Sequence, residues 1–324
     1  MEKIDYLCEK YHLGKMQRPP ELVTGGLLHK MYHVHTDKGE YAIKQLNPDI
    51  MKRPEALQNM INSEKIAEQL KAHVPLVAAR EFDGSHVIET DGNYYFVFDW
   101  LVGVSVYMPD ISVHHCEQIG RILGKIHAAG VKVLGVIKDV TGRNAYDWML
   151  LLEKAKSESR ECYLLLKENI ADIINMDKLT INALKEADKK QVISHRDFDP
   201  KNVMWKELHP YIIDWEAAGY INPYQELLEV LNYWAVNENG EYDETKKSTL
   251  MRAYGESMDI QNVDFKPILY CSIDGMLGWL YYNCRRAIGM EGTKPEDRTE
   301  GVLQVRETIL ELKKCEKRFA QFAK

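Results

Sequence analysis

The sequence has no Cys-x-x-Cys pair of the kind that zinc ribbons use. Its six cysteines lie far apart along the chain, at positions 8, 116, 162, 271, 284 and 315. This spacing excludes a zinc ribbon and gives no sign of a disulfide framework. We therefore expect reduced thiols, as in cytosolic proteins.

The sequence also lacks an excess of basic residues. Lys and Arg number 42 against 49 Asp and Glu, which gives a net charge of −7 and a pI near 5.9. Nucleic-acid-binding proteins usually carry a basic face, and proteins held at a membrane surface carry polybasic patches. We therefore expect no nucleic-acid partner and no polybasic membrane contact.

Long apolar runs are missing as well. No run approaches the roughly eighteen residues of a membrane-spanning helix, and the most apolar stretch, 267–288, contains Asp274, Arg285 and Arg286. The N-terminus has no apolar segment behind a basic start, so no signal peptide is predicted. These absences predict a cytoplasmic protein without a membrane partner.

What is present is a globular composition, with 45% apolar and 28% charged residues in 324. This length suggests about two domains, and the pattern changes near Asp99 from strands and turns to helical periodicity. We predict an α+β fold with a small β-rich lobe over 1–99 and a larger helical lobe over 100–324. A ligand cleft is expected at their junction.

Local signals place the elements within these lobes. Two hairpins are predicted at Asp37-Lys38-Gly39 and Asp91-Gly92, followed and preceded by strand-like residues. Helical patterns, one of which begins close to a proline, run over 54–71, 112–130, 145–190, 223–236, 245–257, 268–288 and 302–322. One strand-like island, 202–214, with a turn at 208–210, interrupts the helical part.

The stretch 194–216 carries the chemistry. Phosphoryl transfer needs a carboxylate that orients the attacking hydroxyl and accepts its proton, and oxygen ligands that hold magnesium against the nucleotide phosphates. Asp197 lies on a predicted loop five residues before Asn202, which suits the first role. Asn202 and Asp214 flank a tight hairpin, so their side chains can converge on one metal ion. A polar hairpin whose acids only cap backbone groups is the alternative.

The order His-x-Asp-x-x-x-x-Asn, strand, turn, strand, Asp is the kinase catalytic-loop pattern. Residues 195–202, His-Arg-Asp-Phe-Asp-Pro-Lys-Asn, and 214–216, Asp-Trp-Glu, resemble the aminoglycoside phosphotransferase and choline kinase group of the protein-kinase-like superfamily. The resemblance implies a two-lobe fold with Asp197 as the catalytic base. It further implies that Asn202 and Asp214 are the Mg²⁺ ligands and that His195 braces the loop.

Lys44 is the next candidate, within Ala42-Ile43-Lys44. Ala42 and Lys44 share one strand face, so adenine could lie on the alanine while the ammonium reaches the phosphates. The segment is similar to the Val-Ala-Ile-Lys signature of kinases, with Tyr41 in first position. A lysine in a cleft needs a carboxylate partner, for which we choose Glu64, with Glu68 as the alternative.

Two further segments are assigned to the nucleotide by their position. Gly25 and Gly26 occupy the place of the glycine-rich loop, where glycines let backbone amides approach phosphates. The segment after the last predicted strand of the small lobe resembles a kinase hinge: adenine would bond to backbone groups of Asp99 and Leu101, with Phe98 beside the pocket.

The resemblance implies transfer of the γ-phosphoryl group of ATP or GTP to a small-molecule hydroxyl, with Mg²⁺ as cofactor. No Ala-Pro-Glu signature follows Asp214, which disfavours protein substrates. A nucleotide-binding pseudokinase and a spore-coat or assembly scaffold of the same fold are the alternatives. The intact set of Lys44, Asp197, Asn202 and Asp214 speaks against the pseudokinase.

The acceptor is expected to be a cationic, hydroxylated molecule such as an aminoglycoside. On the predicted helix 268–288, Asp274 and Tyr281 share a face and could offer it an acid and an aromatic ring. The alternative is that Asp274 is a buried cap or a salt-bridge partner of Arg285 or Arg286, and that the aromatic residues belong to the core.

Histidines elsewhere receive structural interpretations. His127 is predicted to be a satisfied structural residue, and Glu226 a structural acid. The pair His33 and His35 has no acid or cysteine cluster beside it in the sequence, so no metal is predicted there.

Overall fold

The computed structural model describes residues 2–23, 29–138, 142–292 and 294–322; Gly25 and Gly26 lie outside these ranges. Within them, no helix combines the length and apolarity needed to cross a membrane. The chain forms two compact units. The first comprises 1–107, 129–137 and 193–219, and the second comprises 108–128, 138–192 and 220–324.

The helices and strands are numbered in chain order. The helices are α1 (Glu2–Lys10), α2 (Pro48–Met51), α3 (Ala56–Leu70), α4 (Val113–Ala128), α5 (Trp148–Glu158), α6 (Arg160–Ala187), α7 (Pro223–Trp234), α8 (Glu244–Gly255), α9 (Asp274–Ala287) and α10 (Pro295–Phe319). The strands are β1 (Glu21–Val23), β2 (Lys30–Thr36), β3 (Gly39–Gln45), β4 (Ile88–Thr90), β5 (Asn93–Asp99), β6 (Val192–Ser194), β7 (Val203–Lys206), β8 (His209–Ile212) and β9 (Gly219–Ile221).

The first unit is built on an antiparallel sheet of order β1-β2-β3-β5-β4. Both predicted hairpins are confirmed, since Thr36 pairs with Gly39 and Thr90 pairs with Asn93. Asp91 and Gly92 have φ of 51° and 68°. Positive φ at both central residues matches the right-handed twist of the two strands.

Apolar residues of α1 cover one face of this sheet. Ile4 and Leu7 are buried in one cluster with Val34, Ile43 and Val97 of three different strands. The alternation of β3 leaves Ala42 and Lys44 on the opposite face. The sheet is thereby held as a rigid support for the side chains of the site.

The strand-like island belongs to the first unit. A 3₁₀ turn (Pro200–Asn202) leads into the β7–β8 hairpin, and a second (Trp215–Ala217) follows it. The predicted turn at 208–210 is wrong by about one residue, because Lys206 pairs directly with His209. Glu207 takes a φ of 56°, which allows a two-residue turn.

The second unit is helical. The predicted helix over 145–190 is divided into α5 and α6 at Ser159, whose hydroxyl caps α6 by accepting a bond from the Cys162 amide. The predicted helix over 268–288 is a 3₁₀ segment (Lys266–Ile273) followed by α9. Asp274 is therefore the first residue of an α-helix and not an interior one.

Close helix packing and one buried polar network hold this unit together. A Cβ on Gly120 of α4 would collide with the Leu250 carbonyl of α8, so only glycine allows this approach. His127 is buried, with Nε2 2.7 Å from Glu226 Oε2 and Nδ1 2.9 Å from the Tyr254 hydroxyl. The structural interpretation of His127 and Glu226 is confirmed.

Candidate functional site

Lys44 on β3 is buried and faces two carboxylates. Its Nζ lies 3.0 Å from Asp214 Oδ1 and is also ion-paired with Glu216. Burial alone would lower the pKa of Lys44, but the two carboxylates more than offset it and raise that pKa. The lysine therefore stays charged in an environment that would otherwise favour the neutral amine.

Glu216 is held from its other side by His29. Nε2 of His29 lies 2.9 Å from Glu216 Oε2, while the Asn47 amide donates to Nδ1 at 2.9 Å. Because Nδ1 accepts, the proton of the neutral ring resides on Nε2 and is donated to the carboxylate. Burial raises the pKa of Glu216, but His29 and Lys44 outweigh it and lower that pKa overall.

Glu64 lies near this cluster without pairing with Lys44. Its carboxylate accepts a bond from the Ala79 amide at 2.7 Å, and burial raises its pKa to about 7. The predicted Lys44–Glu64 ion pair is therefore not formed: the carboxylate is bound to backbone, and Asp214 and Glu216 take its place at the ammonium. Glu68, the alternative, is half-exposed and pairs with Lys71 at 3.5 Å.

An apolar cavity of about 230 Å³ adjoins the lysine. Ala42 and Phe98 are opposite each other across β3 and β5 and form part of one wall. The cavity is lined by Val23, Met31, Ala42, Lys44, Glu64, Val77, Phe96, Phe98, Asp99, Trp100, Leu101, Met204, Ile213, Asp214, Trp215 and Glu216. The structure thus brings the predicted residues Ala42, Phe98, Asp99 and Leu101 to one cavity with Lys44.

The segment that follows β5 is fixed by backbone contacts. Val104 and Trp205 exchange two amide–carbonyl hydrogen bonds, of 3.0 Å and 2.8 Å. A Cβ on Gly103 would lie 2.9 Å from the Trp205 carbonyl oxygen, so a glycine is needed for this approach. The Asp99 carboxylate is bound by Arg80, with Nε 2.8 Å from Oδ1. These contacts hold Leu101 against the cavity.

Asp197 and Asn202 meet in the loop that precedes β7. The Asn202 amide nitrogen donates to the Asp197 carbonyl at 2.8 Å and to its Oδ2 at 2.9 Å. Lys201 Nζ lies 3.2 Å from the same carboxylate oxygen. About a third of the Asp197 side chain remains exposed, so the carboxylate can receive a substrate hydroxyl while its charge is compensated.

His195 connects this loop with the end of β8. Its Nδ1 accepts a bond from the Asp197 amide at 3.3 Å, and its Nε2 donates to the Ile213 carbonyl at 2.9 Å. The Asn202 carbonyl accepts from the Ile213 amide at 3.0 Å. One buried ring and one backbone bond therefore set the spacing between Asp197 and the residue before Asp214.

Two residues of the site have a strained backbone, one before the β7–β8 hairpin and one after it. Arg196 and Asp214 adopt φ of 67° and 61°, which non-glycine residues rarely do. Such conformations persist only where the surrounding contacts impose them, and they are common at functional sites. Asp214 contacts Lys44 from this conformation.

Asn202 and Asp214 also suit a divalent cation. The Asn202 amide nitrogen is turned towards Asp197, which leaves the amide oxygen as a possible ligand, and Lys44 binds only Oδ1 of Asp214. Carboxylate and amide oxygens are the hard donors that Mg²⁺ prefers. The donor set therefore fits the predicted metal.

Asp274 and Tyr281 belong to a cluster in the second unit. Arg143 binds Asp274 Oδ1 through Nε at 2.7 Å and Asp177 Oδ1 through a terminal nitrogen at 2.7 Å. Tyr281 stacks on Tyr146, with ring centroids 4.6 Å apart. The alternative partners of Asp274 are wrong, because Arg285 pairs with Glu291 and Arg286 with Asp297.

Sequence reasoning missed His29, Arg143 and Asp177. His29 follows the Gly-Gly pair at a position without a motif, and Arg143 and Asp177 lie 131 and 97 residues before Asp274. No local pattern links them. Only the folded chain shows that His29 orients Glu216 and that Arg143 joins two carboxylates.

The antiparallel sheet, the Lys44–Asp214 pair and the Asp197–Asn202 loop define the class: this is a protein-kinase-like fold. The chain matches the family described as "Phosphotransferase enzyme family" over residues 21–258. Because that match covers most of the chain, the chain belongs to this phosphotransferase family.

Individual relatives share only a low sequence identity with this chain. The chain is 26% identical to homoserine kinase from Brucella anthropi over 182 residues, which are 53% of this chain and 51% of that protein. It thus spans about half the length of that relative.

Two solved structures share the fold. Spectinomycin phosphotransferase, solved with ADP and spectinomycin, superimposes with a TM-score of 0.71 at 14% identity and covers 97% of this chain and 98% of that one. Amicoumacin kinase, solved with AMP-PNP and Ca²⁺, gives 0.64 at 12% identity, with coverages of 94% and 92%.

Proposed function

We propose that the protein transfers the γ-phosphoryl group of ATP or GTP to a hydroxyl of a small, cationic molecule. The observation that carries this proposal is the placement of a charged, buried lysine and two acids at an apolar cavity, with Asp197 and Asn202 tied to them through His195 and Ile213. Membership of a phosphotransferase family and the nucleotides held by fold relatives support it.

The cavity suits a nucleoside base. Ala42, Phe98 and Leu101 offer apolar surface, and the backbone of Asp99 and Leu101 can bond to the base edge. Because Asp99 is paired with Tyr41 and the Trp100 amide donates to the Glu40 carbonyl at 3.0 Å, the backbone there keeps a fixed direction. Lys44 is assigned to the phosphates, and Gly25 and Gly26 are proposed to cover them.

Asn202 and Asp214 would hold Mg²⁺, which neutralises phosphate charge when it is bound. Asp197 orients the acceptor hydroxyl and takes its proton. The hydroxyl oxygen then forms a bond to the γ-phosphorus while the bond to the bridging oxygen breaks, and the nucleoside diphosphate leaves. Asn202 and Lys201 keep Asp197 in place and compensate its charge, so the carboxylate remains ready as an acceptor of the proton.

We assign recognition of the acceptor to the cluster around Asp274. One guanidinium faces two carboxylates there, so the group has one negative charge in excess, next to the stacked rings of Tyr146 and Tyr281. Acids and aromatic faces together favour a cation. Homoserine, the substrate named for a relative, carries an ammonium and a hydroxyl group beside its carboxylate, whereas aminoglycosides carry ammonium and hydroxyl groups without a carboxylate.

A turnover assay tests the function. Release of nucleoside diphosphate from ATP and from GTP is measured against a panel of hydroxylated amines, neutral sugars and hydroxy acids. We expect Mg²⁺-dependent turnover with an amine acceptor. Nucleotide binding without turnover on the whole panel would instead favour the pseudokinase or scaffold alternative.

Asp274→Asn tests the acceptor assignment separately. The loss of one carboxylate should raise KM for the amine by about 10-fold or more and leave KM for the nucleotide nearly unchanged. Asp172→Asn, an exposed acid of α6, is the matched control. A neutral best acceptor, or equal effects on both constants, would reject the cationic acceptor and leave the kinase assignment standing.

A further inference from the structure

Three potential metal ligands lie together on the face of the sheet that also carries Ala42 and Lys44, since His33 is paired with Ala42. Glu21 of β1 is paired in register with His33 of β2, and His35 follows two positions later on the same face. Each residue offers one ligand atom, and these three atoms lie within 4.8 Å of one another. In a tetrahedral zinc site with bonds of about 2.1 Å, ligand atoms are about 3.4 Å apart. Small rotations of the three side chains would bring their ligand atoms to that separation.

A fourth group orients these imidazoles. Glu40 of β3 lies 2.8 Å from His33 Nε2 through one oxygen and 3.5 Å from His35 Nδ1 through the other. Metal-bound imidazoles usually have such a carboxylate beside them, because it fixes the ring and makes the nitrogen a better donor. With Glu21, it also gives the cluster two negative charges.

The cluster already attracts one cation of the chain. Arg18 pairs with Glu21 at 3.3 Å and contacts His35 Nε2, and about half of its side chain is exposed. An exposed arginine is easily displaced, since surface ion pairs contribute little stability. Arg18 is therefore a competitor for the position that a metal ion would take.

From this geometry we infer a binding site for a divalent transition-metal ion of the Zn²⁺ class, formed by Glu21, His33 and His35 and supported by Glu40. Two imidazoles and one carboxylate suit zinc and its neighbours better than Mg²⁺. No metal was expected at His33 and His35 because the sequence has no cluster of acids or cysteines beside them. Strand pairing nevertheless brings Glu21 and Glu40 to the two histidines. Its ligands are different residues from the proposed Mg²⁺ ligands Asn202 and Asp214.

The site has an internal reporter. The ring of His33 stacks on Trp100, with centroids 3.5 Å apart and planes 9° from parallel. Metal binding at His33 should therefore change the emission of Trp100, and Trp100→Phe should lose that change while it still binds the metal.

Calorimetric titration of the full chain with Zn²⁺, in excess Mg²⁺ that occupies the hard-oxygen sites, tests the inference. We expect one saturable site that His35→Ala or Glu21→Gln weakens by at least about 10-fold. His209→Ala removes an exposed histidine from another strand and should have no effect. Arg18→Gln should strengthen binding by on the order of fivefold, because it removes one unit charge near the ligands.

Co²⁺ gives an independent signature, since its visible absorption reports imidazole coordination. The inference is overturned if neither the wild-type chain nor Arg18→Gln shows saturable binding. It is equally overturned if the double variant His33→Ala/His35→Ala binds Zn²⁺ as the wild type does. Circular dichroism of each variant confirms that the sheet is intact, so that a loss of binding is not a loss of folding.

Discussion

The position of the Asp197 side chain is set by neighbours that could also bind an asparagine of the same shape. Asn202 and Lys201 both address its carboxylate, and Asn at position 197 could still accept the bond from Asn202. It could not accept the acceptor's proton. We therefore expect Asp197→Asn to lower turnover by about 10² to 10⁴-fold at nearly unchanged nucleotide affinity.

The matched control for that variant is Asp199→Asn. Asp199 lies two residues away and caps the 3₁₀ turn by accepting from the Lys201 amide at 2.8 Å, which asparagine does equally well. Steady-state kinetics and calorimetry should show little change in this control. Near-wild-type turnover of Asp197→Asn would remove Asp197 from the chemistry.

Glu64 should make stability depend on pH. Burial raises the pKa of its carboxyl to about 7, above the roughly 4.3 of an unfolded glutamate. The folded state then holds a proton that the unfolded state releases, so stability falls as pH rises from about 4.5 to 7. Glu64→Gln removes this loss. When the pH is raised from 5 to 8, the free energy of unfolding of the variant should increase relative to that of the wild type by on the order of 1 to 3 kcal/mol.

Urea unfolding at the two pH values measures this difference. Glu68→Gln, four residues along the same helix and half-exposed, should show no such pH dependence. A flat difference between Glu64→Gln and wild type would mean that Glu64 ionises normally in the folded protein.

At the scale of elements, the segment after β5 depends on a close approach to β7. A Cβ at position 103 would lie 2.9 Å from the Trp205 carbonyl oxygen, and backbone cannot yield as a flexible side chain does. Gly103→Ala should lose about 1 to 3 kcal/mol of stability and weaken nucleotide binding, because Leu101 is displaced with the segment.

Gly275→Ala provides the opposite case. Gly275 lies in α9 with nothing within 4 Å of an added Cβ, so alanine should stabilise the helix by about 0.5 to 1 kcal/mol. Thermal unfolding and nucleotide titration of both variants compare them directly. Equal effects of the two substitutions would contradict the role assigned to Gly103.

At the scale of the whole molecule, nucleotide and Mg²⁺ should stabilise the folded chain together. A ligand at 100 times its Kd contributes about 2.7 kcal/mol, which raises the melting temperature by several degrees. Asp214→Ala should remove the Mg²⁺-dependent part of this shift, because the site loses its anionic ligand. Differential scanning fluorimetry with nucleotide, with and without Mg²⁺, measures it; an undiminished Mg²⁺ effect in Asp214→Ala would assign the metal elsewhere.

The sequence by itself determined the features that depend on neighbouring residues. The hairpins at Asp37 and Asp91 were predictable because turn residues set the backbone locally. The placement of Asp197 and Asn202 on one loop was predictable because the two residues are only five positions apart. Helix positions followed from periodicity, although the break at Ser159 and the 3₁₀ segment before Asp274 did not, since each depends on capping and packing.

Tertiary structure decided which charged groups meet. Lys44 pairs with acids 170 and 172 residues further along the chain, whereas the partner chosen from the sequence, Glu64, is bound to backbone instead. Asp274 meets Arg143, and His33 meets Glu21, through helix packing and strand register that no short pattern contains. Long-range ion pairs form where the packed backbone places them, so their partners are known only once the chain is folded.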